Sequence, residues 1–142
     1  MALMQIPAIY PENHGKPFAA DVNPQHVVAA YPSKLHPGCT QIVLNARDKE
    51  GAIRSFITPL SFETVLAAFG PFVSVEQKRI HDGTPVDYHV RPEAIVGVRH
   101  LSAGGGRVWL ANGQDLLVTE KAMQSLATLV AGTVGETTNS LG

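Results

Sequence analysis

One cysteine, Cys39, is all the chain of 142 residues contains, so no disulfide can form within it. A lone thiol is compatible with a reducing cytosol, and a cytoplasmic location is the expectation. Charge is scarce as well. Only 16% of residues are charged, and 11 Lys and Arg against 12 Asp and Glu leave a net charge of -1. Such a balance excludes a global field that would draw in nucleic acid or an acidic membrane surface. No apolar run reaches the roughly 18 residues that a membrane-spanning helix needs. Met1 to Pro7 lacks both a basic region and a continuous apolar stretch, so no secretory signal is read there.

What is present points to one folded domain. Hydrophobic residues make up 44% of the chain, too many for disorder, and the length suffices to bury a core. Thirteen glycines and ten prolines imply the many turns that short strands need. Residues 1–21 carry Pro7, Pro11, Gly15 and Pro17 without sustained periodicity and read as a loosely ordered arm lying across the domain. Residues 132–142, rich in Gly, Thr and Ser, read as a flexible tail.

Between them, residues 22–131 read as a single β-rich domain with an internal repeat, 22–70 and 90–131. Val22-Asn23-Pro24-Gln25-His26-Val27-Val28-Ala29 parallels Val90-Arg91-Pro92-Glu93-Ala94-Ile95-Val96-Gly97, each a proline turn feeding an apolar strand. Second strands follow at Gln41–Leu44 and Arg107–Leu110. The next turns differ in length: Asn45–Gly51 in the first half, and Ala111-Asn112-Gly113-Gln114 in the second, where Asn-Gly suits a type I′ hairpin. Phe56–Val65 then matches Leu117–Leu126, a strand ending in threonine before a helix. Thr58 and Thr119 are the natural N-caps, Pro59 fits the first helical position, and Gly70 and Gly132 read as helix stops. Phe62, Val65, Leu66 and Phe69 fall at helical spacing, as do Met123, Leu126, Leu129 and Val130. Between the halves, Phe72–Gln77, continued by Arg79-Ile80-His81, and Val86–Val90 alternate as half-buried strands, with a turn at Asp82–Pro85. The expected fold is mainly β, a β-rich α+β architecture. It comprises about eight short strands and two short helices in two similar ββ(β)α halves packed as one core.

Candidate chemistry is thin. His36 and Cys39 have a spacing that two metal ligands share, but zinc needs three or four ligands and no second pair appears. The segment therefore reads as a surface loop with a stray thiol, and no metal or small-molecule cofactor is expected. His81, Asp82, Asp87 and His89 bring imidazole beside carboxylate, the ingredients of a general base, around a hairpin that supplies no nucleophile or cleft. Gly104-Gly105-Gly106 leads into a strand rather than a helix N-terminus, so it reads as a turn and not a phosphate cradle. Tyr88 and Trp109 read as core or half-buried strand residues. No enzyme is expected.

The order of elements over roughly residues 22–131 resembles the LytTR-type DNA-binding domain of bacterial response regulators. The resemblance is carried by Phe72 and Arg79-Ile80-His81 in the joining segment, by Tyr88-His89-Val90 leading into Pro92–Ile95, and by Gly106–Leu110 through Val118–Lys121. It implies a bacterial, transcription-associated, non-catalytic module that reads duplex DNA with side chains on its loops. Carried over, the nucleic-acid contacts are Lys34, His36, Arg91 and Lys121, with Arg79 and His81 supporting the loops. The chain departs from the family where Asp82–Asp87 interrupts the motif, and where Asp82, Asp87, Glu93 and Glu120 put negative charge beside those contacts. Phosphate contacts dominate DNA affinity. The alternative expectation is therefore a non-enzymatic protein-interaction module on the same fold. It would bind a protein partner, or itself, through strand edges or an apolar patch.

Overall fold

The computed structural model describes residues 3–9, 16–78 and 86–132. Alternating apolar residues form ten strands there: β1 (Met4–Ala8), β2 (Phe18–Val22), β3 (Val27–Pro32), β4 (Thr40–Arg47), β5 (Ile53–Thr58), β6 (Val73–Gln77), β7 (Val86–Val90), β8 (Ile95–His100), β9 (Gly106–Leu110) and β10 (Asp115–Val118). Two helices, α1 (Phe62–Phe69) and α2 (Glu120–Leu126), follow β5 and β10. The fold is mainly β, as the sequence leads one to expect. No described helix is long and apolar enough to cross a membrane. Arg79, Ile80, His81, the Asp82–Pro85 turn and the tail beyond residue 132 lie outside the described residues.

Eight strands form one antiparallel sheet in the order β5-β4-β3-β7-β6-β10-β9-β8, and β1 pairs with β2 as a separate ribbon. The N-terminal arm, expected to be loose, is thus ordered over Met4–Ala8 and Phe18–Val22. Ile6, Ala8 and Val22 are buried, and the Ile9 amide donates to the Ile57 carbonyl at 2.8 Å. Strands this short carry too few alternations to stand out among the prolines. The apolar face they cover exists only after β3 and β4 have paired.

That pairing has two apolar faces, and each gathers its own core. On one, Val27, Ala30, Ile42 and Phe56 pack with Ile6, Ala8 and Val22 of the ribbon and with Val65 and Phe69 of α1. On the other, Val28, Ala29 and Val43 meet Tyr88, Val90, Val108, Leu110, Leu116 and Val118, with Met123 and Leu126 of α2. The buried residues gather in two clusters, one on each face of that pairing. The second forms because the β9–β10 hairpin folds back over β4: Arg47 Nη2 donates to the Asn112 carbonyl at 2.8 Å, and Asn112 Nδ2 to the Leu44 carbonyl at 3.4 Å.

The same succession of local devices occurs twice. Short 3-10 turns, Pro24–His26 and Pro92–Ala94, lead into β3 and β8. β3 shifts register against β4 between Val27 and Ala29, and β8 against β9 between Ile95 and Gly97, so Val28 and Val96 are bulge residues at matching places. The hairpin loops match too, contrary to the unequal turns read from the sequence. Asp48 N–H donates to Ala52 C=O and Gly51 N–H to Asp48 C=O; Leu110 N–H donates to Gln114 C=O and Gly113 N–H to Leu110 C=O. Each pattern closes a three-residue loop ending in a left-handed glycine, Gly51 at φ +85° and Gly113 at φ +92°. The two-residue type I′ turn expected at Asn112-Gly113 is not formed. The extra length of the first half sits in the β4 irregularity between Val43 and Arg47.

Helix boundaries also differ from expectation. Ser61 caps α1, its hydroxyl accepting the Thr64 amide at 3.2 Å, whereas Thr58 stays extended because it pairs with Thr40 in the β4–β5 ladder. Pro59 accordingly precedes the helix instead of opening it. Thr119 does cap α2, accepting from the Ala122 amide at 3.2 Å, and Gly70 ends α1. α2 stops at Leu126 and tightens into a 3-10 turn over Ala127–Leu129, leaving Gly132 beyond it. Leu129 and Val130, expected in the core, are exposed.

Candidate interaction surface

The basic residues singled out from the sequence do not form one cluster. Lys34 and His36 lie in the β3–β4 loop, and Lys121 is exposed in the first turn of α2. Arg91 sits at the other end of β3, where its amide donates to the Val28 carbonyl. Six residues of β3 separate it from Lys34, about 20 Å at the usual strand rise. Its guanidinium also turns inward, donating to the Pro24 carbonyl and lying 3.8 Å from Glu93, so this side chain is spent on the fold. Arg79 and His81 lie outside the described residues. Lys78, not singled out from the sequence, joins Lys34 and Lys121 at their end of the sheet, because its amide donates to Leu117 at the close of β10.

The histidine-carboxylate cluster is described only in part. His89 packs edge-on to Phe62 with ring centroids 4.7 Å apart, and its Nδ1 is buried without a hydrogen-bond partner among the described residues. Burial pulls its pKa below the usual value, opposed by the Asp87 charge. Tyr88 lies on the opposite face against Tyr31 and donates to Gln114 Oε1 at 3.1 Å. Burial pushes its hydroxyl up to about 12. Both rings are held by packing among the described residues.

The feature that does stand out is the β8 edge. In the sheet order β8 is terminal and, among the described residues, pairs only with β9. Leu101 N–H donates to Gly105 C=O across that pair, so by antiparallel alternation Arg99 and Gly97 also point their amides at β9. Val98 and His100 therefore present outward N–H and C=O groups that have no backbone partner among the described residues. Apolar side chains flank this edge on both faces. Val98, with Ile95, Leu126, Leu129 and Val130, lines an open groove of about 430 Å³. On the other face Trp109, 39% exposed, lies across Gly97, where an added Cβ would come within 2.9 Å of Trp109 Cε3.

Sequence reasoning missed this surface because exposure depends on what lies beside a strand. The signal that could have found it is the match of Val96 to Val28. Val28 is 1% exposed and Ala30 0%, since β7 lies along β3; Val96 is 71% exposed and Val98 37%, since no described strand lies along the outer side of β8. No family model, curated protein or solved structure matches the chain. The molecule is defined by its own geometry: a β-rich α+β domain whose terminal strand β8 has no described partner beyond β9 and is bordered by apolar side chains.

Proposed function

We propose that the protein is a non-catalytic protein-interaction module that accepts a further strand along β8. The observation that carries this reading is the contrast between matched strands. The two halves read as an internal repeat, and β3 uses the positions after its bulge to pair with β7, through Ala29 and Ala30. Their counterparts, Gly97 and Val98, have the same backbone form and an apolar border, with no described strand on the side away from β9. Strand addition supplies affinity through main-chain hydrogen bonds and specificity through flanking side chains. The test is selection of extended peptides from a random library, followed by NMR titration. Selected peptides should shift the amide resonances of Gly97–His100, and Val98→Pro should abolish binding, because it deletes an outward donor that the fold itself does not use. Binding confined to other surfaces would sink the proposal.

A second reading, the duplex-DNA module that the LytTR resemblance implies, is supported by one specific placement. Lys34, Lys78 and Lys121 share one end of the sheet, all exposed, and form no ion pair among the described residues. If they contact phosphate, anisotropy of a randomised duplex should show saturable binding that weakens steeply with salt. Lys34→Ala and Lys121→Ala should each reduce the salt slope by about one. No retention at low salt removes this reading.

A further inference from the structure

We propose that the strand accepted by β8 is β8 of a second copy of this chain, paired antiparallel about a two-fold axis with Val98 opposite Val98. This rests on the reading of β8 as a binding edge. A two-fold axis normal to the sheet makes the contact self-complementary and sets residues of the same face opposite one another. Three registers are then close at hand, centred on Gly97, Val98 or Arg99, and the side chains and backbone discriminate among them. Centring on Arg99 puts two guanidinium groups directly opposite, which is destabilising. Centring on Gly97 carries His100 to Ala94, whose N–H already donates to Arg91 and whose C=O already accepts from Ala111. Those outward groups would go unmet.

Centring on Val98 gives the His100 N–H a partner. Val98 exchanges two N–H···O=C bonds with Val98 of the second copy, and each His100 N–H reaches the carbonyl of the bulge residue Val96. The matched carbonyl in β3, that of Val28, does accept an amide from outside its hairpin, that of Arg91. The same register sets Arg99 opposite Gly97 of the second copy, in the closer, non-hydrogen-bonded kind of pair. Gly97 has no side chain, and Trp109 lies across it. An exposed Arg99 with no ion pair among the described residues thereby gains the indole of the second copy as a cation–π partner, twice per dimer. On the other face the two Val98 side chains meet and the two grooves join, bringing Leu129 and Val130 of both copies to one apolar seam.

The test is sedimentation equilibrium of the full chain over a concentration series, with hydrogen exchange and with fluorescence of Trp109, the only tryptophan. The mass should rise from one chain to two, the emission should change in step, and the Val98 and His100 amides should become protected together. Val98→Pro should abolish the dimer. His100→Pro offers a second deletion of an edge donor, at the position where β3 itself has Pro32, and should weaken association roughly tenfold or more. Arg99→Leu should weaken it about tenfold through the two lost cation–π contacts. A dimer indifferent to folded Val98→Pro and His100→Pro overturns the proposal. A monomer with fast-exchanging Val98 and His100 amides also overturns it, while leaving the edge free for a foreign strand. A monomer with slow-exchanging amides means the edge is covered from within the chain, and overturns the interaction-module reading as well.

Discussion

Asn112 shows how much a single buried amide can hold. Its Oδ1 accepts the Gln114 amide at 3.0 Å, its Nδ2 donates to Gln114 Oε1 at 2.9 Å, and its own carbonyl takes Arg47 from β4. Removing a buried partner leaves desolvated groups unmet, so Asn112→Ala should cost about 2 kcal/mol in a denaturant titration. His89 gives the molecule a pH dependence whose sign follows from burial. Its folded pKa lies below the usual 6.5, so the unfolded chain binds the proton more readily. Its contribution is fully present above about pH 6.5 and is lost as the pH falls through the folded value. The melting temperature should therefore drop on acidification through that window, and His89→Asn should flatten the drop. An unchanged profile in the variant would assign the pH dependence to other groups.

At the scale of elements, caps and loops decide where strands and helices begin and end. Thr119 both caps α2 and donates to Glu76 Oε1 at 2.9 Å, tying the helix to β6. Thr119→Ala should destabilise by about 1 to 2 kcal/mol, combining a lost cap with a lost charge-assisted bond. In the three-residue loops the final glycine alone tolerates the left-handed backbone, so Gly51→Ala should cost about 1 kcal/mol by thermal melting. Most of this level was legible beforehand. The proline turns, the strands from Val27 to Leu110, the Thr119 cap and the Gly70 stop follow from local chemistry that the chain displays openly. What misled was tertiary: Thr58 looks like a cap until the β4–β5 ladder holds it extended, and Asn112-Gly113 looks like a tight turn until Asn112 is needed against Leu44.

At the scale of the whole molecule, the two halves are not independent. β3 of the first half pairs with β7, and β6 pairs with β10 of the second, so each half lacks its neighbour when alone. Residues 22–70 expressed by themselves should lack cooperative unfolding by circular dichroism, and a cooperative transition there would refute the interlocked arrangement. The candidate surface belongs to this scale as well. Lys34, His36 and Lys121 could be named from the sequence, but only the course of β3 separates Arg91 from them. The apolar residues of β8 look like core in any one-dimensional reading.

By itself the sequence determined the class of fold and most of the strands, because turn chemistry and alternation act over a few neighbouring residues. Only the tertiary structure decided which faces are covered. Val28 and Val96 stand at the same place in nearly the same local pattern, yet one is sealed by β7 and the other lies open. Whether an apolar strand becomes core or binding edge depends on the strand beside it, and that neighbour is set by long-range pairing that no local pattern records.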